Sequence, residues 1–475
     1  MHDTMKVRNP RTGEYDYELM EDALEMVEKK ATEIRSAQKA WQHLAIGERV
    51  AVLQKWLGSF TEFQTEIAEQ LAIDTARKRI SKVETSGIIG LMQAWIYRAP
   101  QLYNPPAERP SASATTVQIG QQWVPYGLVG VISPWNFPLL LALIDTIPAL
   151  MAGCGVLLKP SEVTPRFMDG LEKSIAAVPE LAAVLKLVRG GAETGKAVVN
   201  NSDAICFTGS VPTGKKIGAV CAERFIPAFL ELGGKDPAIV LADADLEVAT
   251  DAVLRSCVGA TGQACQSLER IYVHESIYDT FVEKITKKAA AVTLTTNPDE
   301  GQMGPLIFEK QAEKIQEQID DAVAKGATIL TGGKVENIEG GLWCAPTVLT
   351  NVTHDMDVMV EETFGPLIPI MSFSTDDQAL EWANDSIFGL SASVFSKDRD
   401  KALAIASQIE AGAISINDGS LTNKVYDAEK NSFKESGING SRMGDAGFLR
   451  YFRKKAILIQ TAYPETMANF EENPS

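Results

Sequence analysis

The sequence GLVGVISPWNFPLLLALIDTIPALMAGCGVLLKP, residues 127–160, is the clearest indication of the fold. It begins with a short apolar run, residues 127–133, and closes with a second one, residues 155–159. Residues 137–152 between them are long enough for a helix. Two short apolar runs joined in this way form a βαβ unit, because parallel strands need a crossover of about this length. The stretch therefore predicts two buried parallel strands with a helix packed against them.

The same stretch is apolar enough to suggest a membrane helix, which is the main alternative. Asp145 is the only charged residue between Gly127 and Leu158. A spanning helix needs about 20 unbroken apolar residues, whereas Pro134, Pro138 and Pro148 interrupt this run. The buried βαβ unit is the better interpretation, and we expect no membrane association.

The pattern continues on both sides of this unit. Downstream, apolar runs at 204–208 and 228–232 flank a helical segment, so the alternation predicts a parallel sheet with helices on both faces. A second α/β half follows, with predicted strands and helices at 237–241, 246–257, 277–292, 309–325, 328–331, 347–349 and 368–371. Upstream, residues 17–95 are predicted to be mainly helical from their apolar spacing. Residues 115–123 and 456–460 are predicted strands, and the latter needs a pairing partner.

Composition limits the class of protein. The chain has 475 residues, enough for two or three domains. Its 62 acidic residues against 45 basic ones give a net charge of -17, which argues against nucleic acid and against anionic membranes. The six cysteines form no CxxC pair and the four histidines show no metal-ligand spacing, so we expect no metal site. Sparse cysteines fit a reducing compartment, and we expect a cytoplasmic protein.

Two motifs carry candidate catalytic side chains. Cys265 ends the sequence Gly262-Gln-Ala-Cys, and such a cysteine can lie near a helix N-terminus, where a thiolate is favoured. The alternative is a cysteine that only packs in the core. Glu231 ends an apolar strand before Gly233-Gly234-Lys235, at the sheet edge where α/β proteins bind ligands. The alternative is a turn glutamate paired with Lys235.

Three further motifs follow predicted strands. Asn136, in Ser133-Pro-Trp-Asn-Phe-Pro138, offers an amide donor suited to an oxyanion, or it belongs to a polar turn. Lys159 and Glu162 can hold ribose hydroxyls, or they form a solvated charge pair. Residues 207–215 form a strand, a glycine turn and a helix whose N-terminus can receive a phosphate. This last motif is neither a Walker A loop nor a GxGxxG fingerprint.

Together the five motifs resemble the aldehyde dehydrogenase superfamily. The resemblance runs nearly end to end, since it includes Asn9–Glu14, Glu361–Pro366, Asn384–Leu390 and Gly412–Asn417. It implies an α/β subunit with a Rossmann-like NAD(P)-binding domain at 1–111 and 125–232 and a catalytic domain at 233–445. A small β oligomerisation flap and C-terminal tail would occupy 112–124 and 446–475, and the family assembles as homodimers or dimers of dimers.

The resemblance also implies a role for each catalytic residue. Cys265 matches the family nucleophile, whose thiolate adds to the aldehyde carbon. Asn136 and the backbone N–H of Cys265 would stabilise the oxyanion. Glu231 matches the general base that activates water to hydrolyse the thioester. The expected activity is oxidation of an aldehyde to the carboxylic acid through a cysteine thiohemiacetal and thioester.

For the cofactor, Glu162 should accept hydrogen bonds from a ribose 2′-hydroxyl and repel a 2′-phosphate. The resemblance therefore favours NAD and leaves NADP open, since Arg166 lies nearby and could reduce the discrimination. Ser210 and Gly209 should meet the pyrophosphate, and Glu362 and Phe364 the nicotinamide side. The full predicted cofactor site is Ile132, Pro134, Trp135, Lys159, Ser161, Glu162, Gly191, Gly195, Gly209, Ser210, Leu232, Glu362 and Phe364.

One segment departs from the family pattern. Members commonly carry aromatic-Gly-Gly-x-Lys-x-Ser-Gly near the C-terminus, whereas residues 431–437 here read Asn-Ser-Phe-Lys-Glu-Ser-Gly. The change affects the expected wall of the substrate entrance. Two other functions stay open: a CoA-acylating semialdehyde dehydrogenase, which commonly lacks the glutamate at 231, and a non-catalytic NAD-binding or crystallin-like relative, which would need no cysteine at 265.

Overall fold

The computed structural model describes residues 4–297, 300–470 and 472. It begins with an antiparallel hairpin, followed by three helices and two strands of a separate small sheet. These elements are β1 (Thr4–Arg8), β2 (Tyr15–Met20), α1 (Leu24–Trp41), α2 (Ile46–Thr75), α3 (Lys78–Leu102), β3 (Arg109–Pro110) and β4 (Val117–Pro125).

The hairpin corrects one sequence prediction. Residues 17–20 were expected to begin a helix, but they belong to β2, which pairs with β1. Met20 is exposed and lies outside the helical stripe, whose buried face starts at Val27 and continues through Ala31 and Ile34. Pairing with the neighbouring strand β1 decided the conformation here, because apolar spacing within one segment does not reveal such a partner.

The quoted stretch and its continuation form the first large sheet. The elements are β5 (Leu128–Ile132), α4 (Pro138–Ala152), β6 (Gly155–Lys159), α5 (Phe167–Ala176), α6 (Pro179–Ala182), β7 (Leu185–Leu187), α7 (Ala192–Asn201), β8 (Ala204–Thr208), α8 (Val211–Glu223) and β9 (Ala228–Glu231). The strand order is β9-β8-β5-β6-β7, all parallel.

Both faces of this sheet are buried, as the continuous apolar runs predict. Along β5, Val129 and Val131 join the core formed with α2, α3, α4 and α5, whereas Leu128 and Ile132 join the core formed with α1, α7 and α8. The alternation follows the two-residue period of a strand. Within the described ranges, no helix is both long and apolar enough to cross a membrane.

The second half of the chain forms a seven-stranded sheet in the order β12-β15-β16-β11-β10-β18-β19, in which only β12 is antiparallel to its neighbour. The helices and strands of this half of the chain, including β13, β14 and β17 outside the large sheet, are β10 (Asp236–Val240), α9 (Leu246–Val258), β11 (Leu268–His274), α10 (Tyr278–Ala290), α11 (Glu309–Ala324), β12 (Thr328–Thr331), β13 (Val335–Ile338), β14 (Gly341–Cys344), β15 (Thr347–Thr350), α12 (Asp357–Val360), β16 (Leu367–Phe373), α13 (Asp376–Asn384), β17 (Phe388–Gly389), β18 (Ser391–Phe395), α14 (Arg399–Ala406) and β19 (Ala413–Ile416).

The C-terminal segment returns to the first half. It contains β20 (Phe433–Lys434), β21 (Gly437–Ile438), α15 (Ala446–Leu449) and β22 (Phe452–Gln460). The short strand β21 pairs with β9, so that Gly437 lies opposite Glu231. The strand β22 pairs along its whole length with β4, which provides the partner expected for residues 456–460.

Candidate active site

Cys265 lies in the loop between α9 and β11. The loop opens with a 3-10 turn, Gly259–Gly262, in which Ala260, Thr261 and Gly262 have φ values of 54°, 63° and 68°. A side chain at Gly262 would place its Cβ 2.2 Å from the Gly365 carbonyl oxygen, so this position requires glycine. Left-handed backbone at alanine and threonine is costly and needs external support.

Arg77 supplies part of that support. Its guanidinium donates hydrogen bonds to the carbonyl of Ala260 at 2.7 Å and to the carbonyl of Asn136 at 2.9 Å. A single buried side chain therefore ties the turn before Cys265 to the loop after β5. Because guanidinium donors have a rigid geometry, this bridge fixes the two loops relative to each other.

The structure corrects the expected surroundings of the thiol. Cys265 does not lie at a helix N-terminus, since α9 ends before it and a strand follows it. Burial raises the pKa of the Cys265 thiol to about 12; nearby Lys430 opposes this shift, and Glu362, Asp236 and Glu231 add to it. The remaining five cysteines are buried, whereas Cys265 is partly exposed. The site therefore holds an accessible thiol that needs a base to become a nucleophile.

Asn136 lies beside the cysteine loop. Its side-chain nitrogen donates a hydrogen bond to the carbonyl of Gln263, at 3.0 Å. The Gln263 side chain accepts a hydrogen bond from the Ile307 N–H at 2.9 Å, which holds this residue in turn. One N–H of the Asn136 amide is used in this contact, and the second remains for another acceptor.

Glu231 ends β9 and faces the C-terminal segment. Its carboxylate accepts a hydrogen bond of 3.1 Å from the Ser432 hydroxyl. Two basic side chains approach it, Lys430 at 3.9 Å and Arg442 at 4.0 Å. The alternative interpretation, a turn glutamate paired with Lys235, is wrong, because the Lys235 ammonium binds Glu269 at 2.8 Å.

The Lys235–Glu269 pair organises the next loop. Glu269 accepts hydrogen bonds from the backbone N–H groups of Thr363 and Phe364, at 2.7 and 2.8 Å. Phe364 has a φ of 52° and its ring packs edge-on against Trp135, with ring centroids 5.4 Å apart. Two predicted site residues from different halves of the chain thereby meet.

Glu362 is held against the glycines after β9. Its carboxylate accepts a hydrogen bond from the Gly234 N–H at 3.1 Å, and a Cβ at Gly233 would lie 2.6 Å from it. Glycine is therefore needed at 233 for this approach. Burial, followed by the charge of Glu269, raises the pKa of Glu362 to about 7.

The predicted cofactor residues lie mainly along one edge of the first sheet. Ile132, Lys159 and Glu231 end β5, β6 and β9, and Leu232 follows directly. Lys159 is buried and its ammonium binds the half-buried Glu162 at 3.1 Å. Gly195 lies beside the Lys159 chain, with its Cβ position 3.8 Å from Cδ. Pro134 and Trp135 follow β5, Ser161 follows β6, and Gly191 precedes α7.

The helix α8 begins at this same edge. Gly209 and Ser210 precede it, and its first turn contains Pro212 and no acidic residue. A side chain at Gly209 would place its Cβ 2.5 Å from the Phe207 ring. The free N–H groups of a helix N-terminus favour an anion, so the residues present fit the pyrophosphate of a dinucleotide.

Arg166 does not contribute to this edge. Its guanidinium makes an ion pair with Asp16 and lies 3.1 Å from Asp74, and it stacks on the Tyr17 ring. The expectation that Arg166 softens the choice between cofactors is therefore not supported, because its charge is already paired within the N-terminal region.

The chain matches the model of the family described as "Aldehyde dehydrogenase family" over residues 1–457. A solved structure from Anabaena variabilis, provisionally named aldehyde dehydrogenase PutA, is 48% identical with a TM-score of 0.95, covering 98% of this chain and 99% of that one. Betaine aldehyde dehydrogenase of Staphylococcus aureus, solved with NAD+, is 30% identical with a TM-score of 0.91. The match covers 99% of this chain and 94% of that one. A Mycolicibacterium smegmatis protein, provisionally named succinate-semialdehyde dehydrogenase [NADP(+)], is 35% identical over 89% of this chain and 82% of that protein.

Proposed function

We propose a mechanism, residue by residue, for this chain, which belongs to the aldehyde dehydrogenase family and oxidises an aldehyde to the carboxylic acid with NAD(P)+. The family and the α/β fold predicted from the sequence are confirmed. Two observations support the mechanism: the Asn136 amide binds the carbonyl two residues before Cys265, and the charge of Glu231 acts on the Cys265 thiol.

The first half of the reaction forms a bond between Cys265 and the substrate. Burial raises the pKa of the Cys265 thiol, so its proton must pass to water or to a neighbouring carboxylate as the sulfur attacks. The Cys265 sulfur adds to the aldehyde carbon, and the resulting oxyanion receives the free N–H of Asn136 and the backbone N–H of Cys265. When bound, NAD(P)+ accepts the hydride that leaves the adduct, and a thioester remains on Cys265.

The second half releases the acid. Glu231 takes a proton from water, and the oxygen attacks the thioester carbon. Asn136 again stabilises the oxyanion, and Cys265 leaves as a thiolate that recovers a proton. Asn136 and Cys265 therefore serve both halves, and Glu231 is the base that the release step adds.

NAD is the proposed preferred cofactor, bound at the edge formed by β5, β6, β8 and β9. A carboxylate at Glu162 favours a 2′-hydroxyl over a 2′-phosphate, and Lys159 orients that carboxylate. Arg166, the nearby cation, is committed to Asp16 and Asp74. The relatives are named with both cofactors, so NADP remains an outcome of the test.

The assembly, the location and the substrate are proposed at a coarser level. We propose a cytoplasmic homodimer or dimer of dimers, in which residues 112–124 and 446–475 form the oligomerisation flap. The exposed apolar side chains of β22 support this assignment. The cofactor domain would comprise 1–111 and 125–232, and the catalytic domain 233–445. The proposed substrate is a small aldehyde that carries a polar group.

The experiment that tests the mechanism uses Glu231→Gln in a single turnover. The variant should still form the adduct and pass the hydride, because the proposed role of Glu231 is in the release step. NADH should then appear in a burst, followed by turnover slowed about 10²–10⁴-fold. Mass spectrometry should find an acyl group on Cys265. The control is Glu223→Gln, at an exposed position at the end of α8.

The outcomes separate the alternatives. Loss of the burst together with turnover would show that Glu231 also accepts the proton of Cys265, which extends its role to the first step. Unchanged turnover in Glu231→Gln would contradict its role as base. Acyl-CoA as the wild-type product would identify the chain as the CoA-acylating enzyme, and CoA should not accelerate the wild type if the hydrolytic mechanism holds.

A further inference from the structure

A buried lysine stands beside the proposed base. Lys430 is 7% exposed, and its side chain is only 5% exposed. Its backbone N–H donates to the Ser441 hydroxyl at 3.1 Å, which anchors the segment that carries it. Burying an ammonium group is costly unless an anion compensates it, so the surroundings of Lys430 should contain its partner.

Among the residues that the structure describes, the acidic side chain within ion-pair distance of Lys430 is Glu231. The Lys430 ammonium lies 3.9 Å from Glu231 Oε2, the same oxygen that accepts the hydrogen bond from Ser432. The pair is almost closed to solvent, since the Glu231 side chain is 12% exposed. Screening by water is therefore weak, and the charge of Lys430 acts strongly on its neighbours.

Arg442 completes the surroundings of the carboxylate on its other side. Its Nε lies 4.0 Å from Glu231 Oε1 and has no hydrogen-bond partner. The other end of its guanidinium binds Asp145 at 2.7 Å. Asp145 also binds Arg450, at 2.5 Å, so Arg442 keeps part of its charge and shares the balance of Glu231 with Lys430.

The charge of Lys430 also acts on the nucleophile. It lowers the pKa of the Cys265 thiol, whereas the charges of Glu362, Asp236 and Glu231 raise it. Lys430 lies directly before the segment that departs from the family pattern, at the place where that pattern has an aromatic residue. The Lys430 ammonium and the Ser432 hydroxyl are thus both features that depart from the family pattern at this site.

We propose that Lys430 is a positioning residue for the oxidation: its buried ammonium holds the Glu231 carboxylate in place and stabilises negative charge on Cys265. This proposal deepens the function proposed above and rests on it. The thiol proton leaves to water or to a neighbouring carboxylate, and Lys430 neither gains nor loses a proton. The lysine acts through its fixed charge, which favours the thiolate during attack and again when Cys265 leaves.

The test measures alkylation of Cys265 by iodoacetamide in Lys430→Met, Lys430→Arg and the wild type, between pH 7.5 and 9.5. The other cysteines are buried, so the rate reports Cys265. Loss of a nearby cation should raise the thiol pKa by about one unit, so Lys430→Met should react about tenfold more slowly at each pH. Lys430→Arg should restore most of the rate. The control is Lys334→Met, an exposed lysine paired with Glu336 on the β13–β14 hairpin.

A second readout separates charge from structure. Turnover should fall with the alkylation rate in Lys430→Met and recover with it in Lys430→Arg. If turnover falls while the alkylation rate and its pH dependence stay at wild-type values, Lys430 is structural and the proposal is overturned. Failure of the proposed function would look different: Cys265→Ala would retain turnover, whatever the result at Lys430.

Discussion

The side-chain amide of Asn136 donates a 3.0 Å hydrogen bond to the carbonyl of Gln263, two residues before Cys265. One donor of the amide is thus used to fix its orientation, and the other is available to a substrate oxygen. Since an oxyanion hole depends on donors that are oriented before the charge develops, this contact prepares Asn136 for the reaction.

Asn136→Ala should therefore reduce kcat by about 10²–10³-fold, because one oxyanion donor is lost. The stability should also fall, by about 1–3 kcal/mol, because the buried Gln263 carbonyl loses its partner. Steady-state kinetics and urea unfolding measure the two effects. A kcat within threefold of wild type, at a lowered stability, would show that Asn136 serves the fold alone.

Cys265→Ala should abolish aldehyde oxidation while NAD binding and the fold persist, because only the covalent step is removed. The matched control is Cys154→Ala, which removes a buried thiol far from the loop and should retain activity. NADH formation and a thermal melt are sufficient measurements. Turnover at the wild-type level in Cys265→Ala would refute a thioester on this residue.

Glu162→Gln should narrow the preference for NAD over NADP by about tenfold in kcat/KM, which corresponds to ~1.4 kcal/mol. The cause is the loss of repulsion between the carboxylate and a 2′-phosphate. Glu180→Gln, at an exposed glutamate on α6 paired with Lys55, is the control. A wild-type preference for NADP would mean that Lys159 outweighs Glu162 at this position.

Glu362→Gln should change how stability depends on pH. Burial raises the folded-state pKa of Glu362 from 4.5 to about 7. Between these two values the folded protein holds a proton that the unfolded chain releases. The contribution of Glu362 to the free energy of unfolding is therefore present below pH 4.5 and lost as the pH rises through 7. The free energy of unfolding of the variant, relative to that of the wild type, should rise by up to about 3 kcal/mol as the pH increases from 5 to 8.

Urea unfolding at pH 5, 6.5 and 8 measures this gain. The control is Glu361→Gln, the exposed neighbour that pairs with Lys314 at 3.3 Å. Parallel pH profiles for Glu362→Gln and wild type would show that Glu362 is ionised in the folded protein. The same variant should slow oxidation, since Glu362 is proposed to orient the nicotinamide ribose.

Much of the fold follows from local patterns. The sequence at 127–160 predicted β5, α4 and β6 to within one residue at each end. Buried parallel strands are continuous apolar runs, which makes them easy to recognise. The hairpin of β1 and β2 was missed because its pairing is between two weakly patterned segments. The prediction that Cys265 lies near a helix N-terminus was wrong, because a left-handed turn and then the strand β11 follow α9. The sequence shows no other sign of this turn.

The residues that arrange the site were harder to find than those proposed to react. Arg77, Glu269 and Lys430 lie far along the chain from the groups they hold, so no spacing rule connects them. Lys235 was noticed, but it was paired with Glu231, its neighbour in sequence, whereas its partner is Glu269. A contact between distant segments becomes visible only when the fold brings the segments together.

The pairing of Gly437 with Glu231 also sets an order of assembly. During synthesis, β9 leaves the ribosome long before the segment with Lys430, Ser432 and Arg442 exists. The edge of the first sheet beside Glu231 stays unpaired for that interval, and the carboxylate stays hydrated. A nascent chain that stops before residue 437 lacks the strand that pairs with Glu231, so we expect oxidation to begin only after the C-terminal segment has docked.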